Sequence, residues 1–296
     1  MDLQKGTLWD ALVRTSRHAL AIGAQLPIKT EHTFIQDGNI RFFVRILANL
    51  KLKDKARQRT SDKAAAENLA DPFLPPEPAL FVGNLSDTHA AILNKFNVVE
   101  HHLLIITREF EEQDMLLTLA DFEALWLCMA EYEGLAFYNG GREAGASQDH
   151  KHLQMVPLPL APEGPAIPIG PLLAHAPQGI GTIPGIPFQH AFVRLVPDLI
   201  RAPREAAIRT FDLYGSLLQR VNMHTWSAGG PTRQSSPYCF IVTREWMLLV
   251  PRTQEFFEDI SLNALAFAGS LFLRDQQQLE RLRSVGPLQA LRTVAR

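Results

Sequence analysis

Apolar positions along the chain change period several times, and the changes mark out the elements. In TLWDALVRTSRHALAIGAQ (7–25), Leu8, Leu12, Ala19, Leu20 and Ile22 fall near helical spacing and predict a first amphipathic helix. IRFFVRILANL (40–50) is β-branched and aromatic, which reads as a strand. AAILNKFNVVEHHLLIITREF (90–110) holds two strand-like runs around the polar Asn94 and Lys95. LTLADFEALWLCMAEYEG (117–134) returns to a helical pattern; Thr118 with Asp121 resembles a capping box, and Gly134 suits the end. LAFYNGG (135–141) then reads as a strand entering a glycine turn, and DHKHLQMVP (149–157) as a strand leaving it, stopped by Pro157 and Pro159. HAFVRLV (190–196) is a further strand. REAAIRTFDLYGSLLQRVNMH (204–224) is the longest helix candidate, with Pro203 suited to its first turn. YCFIVTREWMLLVP (238–251) predicts a hairpin turning at Arg244 and Glu245, and the tail from 261 reads as largely helical.

The segments between lack a period. Residues 51–71 are charged, 70–80 are proline-rich, and 157–187 carry many Pro and Gly; 227–237 reads as a flexible loop. No repeat and no βαβ rhythm appears. The mixture favours an α+β fold, an antiparallel sheet with packed helices.

Composition narrows the function classes. A chain of 296 residues suffices for one large domain or two fused halves. Lys plus Arg (29) nearly balance Asp plus Glu (31), so charge offers no sign of a nucleic-acid partner. The two cysteines, Cys128 and Cys239, form no CxxC pair, which argues against a zinc ribbon or a disulfide framework. Cys128, among Leu127 and Met129, is expected buried and inert. The charged start is unlike a secretory signal, and no run approaches the roughly 18 apolar residues of a membrane helix. No membrane partner is expected, and a cytoplasmic setting is the default.

The chemistry concentrates in SQDHKHLQMV (147–156) and the small-residue run NGGREAGAS (139–147) before it. On an extended strand His150, His152 and Gln154 share one side, with Lys151, Leu153 and Met155 on the other. The plain alternative is a solvent-facing polar strand. A second is a metal site, since HxH on a strand can supply two ligands. A cupin-like carboxylate is absent, because Val156 and Pro157 occupy its place, and the spacing of His101, His102, His175, His190 and His224 supports no ligand set. The third is nucleophilic catalysis: a neutral imidazole attacks phosphorus while its other nitrogen is hydrogen-bonded. Gly140, Gly141, Gly145, Ala146 and Ser147 could then bring backbone N–H groups close to phosphate, and Gln154 offers an amide that does not titrate.

Three blocks, 71–113, 137–154 and 241–252, carry a resemblance that runs through most of the chain. They resemble the histidine-triad superfamily in its branch with Gln at the third position, which includes the galactose-1-phosphate uridylyltransferases. Within it they are more similar to the ATP adenylyltransferase, or diadenosine tetraphosphate phosphorylase, family. The resemblance implies two fused histidine-triad-like halves: an N-terminal catalytic half (1–160), a Pro/Gly-rich connector (161–187), and a C-terminal adenylyltransferase half (188–296) packed with it as one compact unit. It implies a reversible phosphorolysis of diadenosine tetraphosphate to ATP and ADP through an adenylyl-histidine. His152 would be the nucleophile, His150 its support, and Gln154 the holder of the α-phosphate. Gly145, Ala146, Ser147 and Gln148 would cradle phosphate, with Asn139 at the head of the loop. Asn94, Lys95 and Lys53 would contact substrate, and Thr243 and Arg244 would touch nucleotide or phosphates. The substrate's charge asks for converging cations, for which Lys53, Lys95, Arg142, Arg244 and Arg252 are candidates.

Departures from the pattern are specific. Lys151 stands where the galactose branch has Pro, and that branch's zinc cysteines have no counterpart here. Cys239 replaces an Asn of the eukaryotic adenylyltransferases, and Gln254 a Lys. No metal site and no covalent cofactor is expected; Mg²⁺ arriving with the polyphosphate is left open. The partners implied are small-molecule nucleotides, for a monomer or dimer. A sugar-1-phosphate nucleotidyltransferase of the galactose type and a non-catalytic nucleotide- or metal-binding module are the rival readings.

Overall fold

An eight-stranded sheet organises residues 2–47, 71–196, 200–223 and 232–296, those described by a computed structural model. In chain order the elements are α1 (Leu8–Ala21), β1 (Thr30–Asp37), β2 (Ile40–Leu47), β3 (Phe81–Asn84), β4 (His89–Leu93), β5 (Leu103–Thr107), α2 (Leu119–Glu131), β6 (Gly134–Gly140) and β7 (His152–Pro157). There follow α3 (Gly170–Leu173), β8 (Ala191–Arg194), α4 (Pro203–Arg220), β9 (Tyr238–Val242), β10 (Trp246–Pro251), β11 (Phe256–Phe257), β12 (Ile260–Ser261), α5 (Ala264–Phe267), β13 (Ser270–Leu273), α6 (Gln276–Val285) and α7 (Pro287–Val294). The main sheet runs β3-β4-β5-β7-β6-β9-β10-β8 with every pair antiparallel, in the α+β class expected.

Both faces of this sheet are covered. The strands β4, β5, β6, β9 and β10 are buried at every position, so they read as unbroken apolar runs rather than alternations. On one face α1, α2 and α4 pack Leu8, Leu12, Phe122, Trp126 and Leu217 against Ala91, Leu103, Ile105, Leu153 and Met155. Trp126 is fully buried, and its indole N–H finds Thr210 Oγ1 of α4 at 2.7 Å, which joins α2 to α4 without an orphaned donor. Thr118 and Asp121 form the predicted capping box at the start of α2.

The opposite face is covered in two pieces. Phe73 sits over Ala90, Ile92, Leu104 and Ile106 of β4 and β5. Leu135, Phe137, Ile241 and Leu248 of β6, β9 and β10 pack instead with Phe42, Val44, Leu271 and Leu291. The first half of β7 runs at the divide between these two covers, and that is where His152 and Gln154 stand.

Two strands depart from the expectations. β1 forms a hairpin with β2 around Gly38, although its own sequence, TEHTFIQD, buries only Ile35. The tail is not helical throughout: β13 pairs parallel with β2 and completes a second sheet, β1-β2-β13. Such a short strand takes its conformation from its partner rather than from local preference. β7 also begins at His152 rather than 149, with His150 held by an isolated bridge to Glu112. No helix among the described residues is long and apolar enough to cross a membrane.

Candidate active site

β6 and β7 pair from Gly134–Pro157 to Phe137–Gln154 and then part, since Tyr138, Asn139 and Gly140 pair only with β9. Gln113 fills the wedge. Its Oε1 accepts the His152 N–H at 2.8 Å, and its Nε2 donates to Asn139 O at 2.9 Å and His152 O at 3.3 Å. Buried to 3% exposure, this one amide holds the parted strands and fixes the backbone of His152.

The two histidines are held differently. His150 has both ring nitrogens engaged: Nδ1 lies 2.6 Å from Asp71 Oδ2, and Nε2 lies 2.8 Å from Thr107 Oγ1 and 2.9 Å from Thr107 O. It has no lone pair left for chemistry. His152 Nδ1 donates to His150 O at 2.7 Å, and no described residue bonds its Nε2. The ring is therefore in the tautomer whose Nε2 lone pair is free. Burial lowers the His152 pKa to about 4, against the raising effect of the bond to His150 O. The imidazole is neutral across the physiological range, the state in which a ring nitrogen can act as a nucleophile. Phe73 packs edge-on to both rings, at 5.5 Å from His150 and 5.2 Å from His152. These histidines are buried, not solvent-facing. With both nitrogens engaged, His150 has no lone pair to share with His152 around a metal, and among the described residues no cluster of three or more His, Cys, Asp or Glu side chains suits an ion.

Gln154 continues the same face. Its Oε1 meets His102 Nε2 at 2.9 Å, and His102 Nδ1 meets Asn94 Nδ2 at 3.2 Å. No described residue accepts from Gln154 Nε2. His102 is buried, and desolvation lowers its pKa to about 4, assisted by His152 and opposed by the bond to Gln154.

The other face of the strand is closed. Lys151 is 1% exposed, and its three donors reach Asp121 Oδ2 (2.7 Å), Glu111 Oε2 (3.0 Å) and Leu116 O (3.2 Å). Asp121 also receives His89 Nε2 at 3.1 Å. Burial alone would raise the Asp121 carboxyl, but the bond from His89 and the charge of Lys151 outweigh it and hold it below the usual carboxylate range.

The glycine loop differs from the expectation in detail. Gly141 (φ +86°) and Gly145 (φ +93°) bracket a single 3₁₀ turn, Arg142–Ala144. The Gly145 N–H donates to Arg142 O at 2.8 Å and the Ala146 N–H to Gly141 O at 3.2 Å, so neither is available to phosphate. Of the expected cradle residues 145–148, Ser147 and Gln148 are the two whose amides have no acceptor among the described residues. A Cβ at Gly145 would lie 2.9 Å from Asn263 Cβ. Turn geometry and packing on the loop before α5 therefore account for this glycine. Arg142 is exposed and pairs with Asp149 at 2.7 Å.

Other expected site residues are scattered. Asn94 joins the site through His102, whereas Lys95 is exposed and paired with Glu77 at 2.7 Å. Asn139 is buried, and its Oδ1 accepts the Ala264 N–H at 2.9 Å, which caps α5 from across the sheet. Thr243 and Arg244 sit in the β9–β10 turn; Val242 pairs with Ala136, which puts that turn at the opposite end of β6 from Asn139. The Thr243 hydroxyl accepts Glu245 and Trp246 N–H groups, and Arg244 Nε donates to Met129 O at 2.8 Å. Arg252 is buried, with donors to Val294 O, Ala144 O, Gln254 O and Cys239 Sγ. Lys53 lies outside the described residues. Sequence reasoning passed over Asp71, Thr107 and Gln113 and gave His102 no role in this chemistry. Their partners are 79, 43, 39 and 52 residues away, and only DPF, an Asx-type turn in which Asp71 accepts the Phe73 N–H, carries a local signal.

Known proteins match the chain along most of its length. Residues 1–175 match the family described as the Ap4A phosphorylase N-terminal domain, and 184–296 match the ATP adenylyltransferase C-terminal domain. The chain is 28% identical over 266 residues, 82% of its length and 79% of the relative's, to diadenosine 5',5'''-P1,P4-tetraphosphate phosphorylase 2 of Saccharomyces cerevisiae. It is also 28% identical over 233 residues to Protein APA1 of the same yeast, covering 72% of this chain and 71% of that one. The crystal structure of yeast Ap4A phosphorylase Apa2 shares the fold, with a TM-score of 0.78 at 22% identity over 99% of this chain and 95% of that one. The same yeast enzyme has been solved in complex with Ap4A, at a TM-score of 0.74 and 20% identity over 99% of this chain and 98% of that one.

Proposed function

The chain belongs to the Ap4A phosphorylase family, an ATP adenylyltransferase family of nucleotidyltransferases, and on that premise we propose that it cleaves diadenosine tetraphosphate with phosphate by double displacement on His152. The observation that carries the mechanism is the asymmetry of that ring. Nδ1 is tied to His150 O at 2.7 Å while Nε2 has no partner among the described residues, and Gln154 stands two residues along the same face.

Atoms balance in two steps. His152 Nε2 attacks an α-phosphorus, forms the N–P bond, and the bridging oxygen leaves with ATP. A phosphate oxygen then attacks adenylyl-His152, the N–P bond breaks, and ADP departs while Nε2 regains its lone pair. Gln154 Nε2 donates to a non-bridging oxygen in both steps, where charge redistributes in the transition state. Asp71 orients His150 through Nδ1, and the His150 carbonyl in turn holds the His152 tautomer. The Ser147 and Gln148 amides are the loop donors this reading assigns to phosphate. Small nucleotides are the partners. The reading needs no prosthetic group, and Mg²⁺, where the reaction uses it, would arrive with the polyphosphate.

The test is product analysis with stereochemistry. Diadenosine tetraphosphate with phosphate should give ATP and ADP in equal amounts, and a chiral phosphorothioate at the attacked phosphorus should retain configuration, because two in-line inversions cancel. Net inversion would rule out the two-step route, and turnover of a nucleotide sugar with a sugar 1-phosphate in place of Ap4A would move the chain to the galactose type.

A further inference from the structure

The orientation of the Gln154 amide has a traceable origin. The backbone N–H of Phe96 can only donate, and it donates to Asn94 Oδ1 at 3.0 Å. That fixes the Asn94 amide, so the Nδ2 end is the one 3.2 Å from His102 Nδ1. A ring nitrogen facing an N–H₂ group must accept, which leaves the His102 proton on Nε2. That Nε2–H faces Gln154 at 2.9 Å, and the atom it meets must be the carbonyl oxygen. The Gln154 N–H₂ is then turned the other way, where no described residue accepts from it. One backbone amide thus sets the polarity of three side chains in series. The β4–β5 ladder holds the same pair from behind, since the Asn94 N–H donates to His102 O at 3.0 Å.

We propose that His102 is a positioning residue for adenylyl transfer: as its Nε2–H tautomer it holds Gln154 Oε1, so that Gln154 presents N–H, never a carbonyl lone pair, to the phosphoryl oxygens. The proposal rests on the reading that Gln154 meets the α-phosphate. A glutamine free to flip would offer its carbonyl to an anion in part of the population, and repulsion would replace a hydrogen bond. Burial supports the device, because it keeps the His102 ring uncharged down to about pH 4 and so preserves the Nδ1 acceptor.

Steady-state kinetics on the wild type, His102→Phe, Gln154→Ala and the double variant separate positioning from structure. Loss of one oriented donor to a transition-state oxygen is worth about 10²-fold in kcat. His102→Phe should lower kcat by roughly that factor with little change in KM, and should cost less than about 3-fold more once Gln154 is already Ala. His102→Gln, which can place an amide N–H near the same point, should recover most of the loss. An equal loss from His102→Phe in both backgrounds would overturn the proposal. The second measurement needs no variant: ¹⁵N NMR of the wild-type ring at neutral pH should show a protonated Nε2 and an unprotonated Nδ1. The opposite tautomer, or a doubly protonated ring, would also overturn it. Absence of wild-type turnover with Ap4A and phosphate would instead sink the functional reading, and the NMR result would still decide the tautomer.

Discussion

The two faces of β7 set polar groups against opposite standards. Behind the strand, Lys151 meets Asp121, Glu111 and Leu116 O with its three donors, and Asp121 collects His89 and Lys151 together. In front, His150 is likewise complete, but His152 keeps one nitrogen and Gln154 one amide group without a partner among the described residues. Residues one apart therefore do different work: the closed network holds the strand, and the incomplete one is available to a substrate. Hydrogen-bonding groups that the described protein leaves open beside a fully paired rear network mark the front as the face on which a ligand could be held.

The contrast can be broken most severely at the front. His152→Ala should lower phosphorolysis by about 10⁴-fold or more, as removal of a covalent nucleophile does elsewhere, with the fold retained by circular dichroism. A loss of under tenfold would remove His152 from the nucleophile's place. At the back, Asp121→Ala should cost about 3–5 kcal/mol in denaturant unfolding, because it leaves Lys151 and His89 buried without their shared carboxylate. If that variant were as stable as wild type, the rear network would not be what anchors the strand.

A pH series sharpens the same comparison. His152 and His102 sit near pKa 4 when folded, against about 6.5 when unfolded. Between those values the unfolded chain binds more protons than the folded one, so stability rises with pH across the window and is lost as pH falls from about 6.5 towards 4. Melting temperatures from pH 7 to pH 4.5 should decline, and His152→Asn should decline less steeply because one of the two groups is gone. Parallel slopes would mean that the ring is not held neutral by the fold. The smallest effect is expected at Arg244. Its guanidinium ties the hairpin turn to Met129 O, and Arg244→Ala should leave turnover within about twofold, the scale of a substitution remote from the chemistry.

Strict alternation made the front of β7 legible, because a two-residue period in an extended chain needs no tertiary knowledge. The prolonged apolar runs of β4, β5 and β10 and the capped helix α2 were legible for a similar reason: their signals are local. β1 escaped because it exposes most of its side chains, and β13 because its strand character comes from lying beside β2, more than 200 residues earlier. At the site, the residues the proposed mechanism uses, His152, His150 and Gln154, were singled out by H-x-H-x-Q together with the family resemblance. What holds them could not be named, since Asp71, Gln113 and His102 arrive from other elements through hydrogen bonds with no sequence spacing. The loop was legible as a turn, but which N–H groups it leaves unengaged depends on the 3₁₀ bonds at Gly145 and Ala146. Thr243 and Arg244 show the converse: a motif position can point to substrate while the strand register puts it at the far end of the sheet.

The most direct measurement is intact-protein and peptide mass spectrometry of the wild type after incubation with diadenosine tetraphosphate in phosphate-free buffer. The account predicts one AMP per chain, on the peptide bearing His152, discharged as ADP when phosphate is added. An unmodified protein that still turns over substrate on adding phosphate, or an adenylyl group on His150 or any other residue, would contradict it.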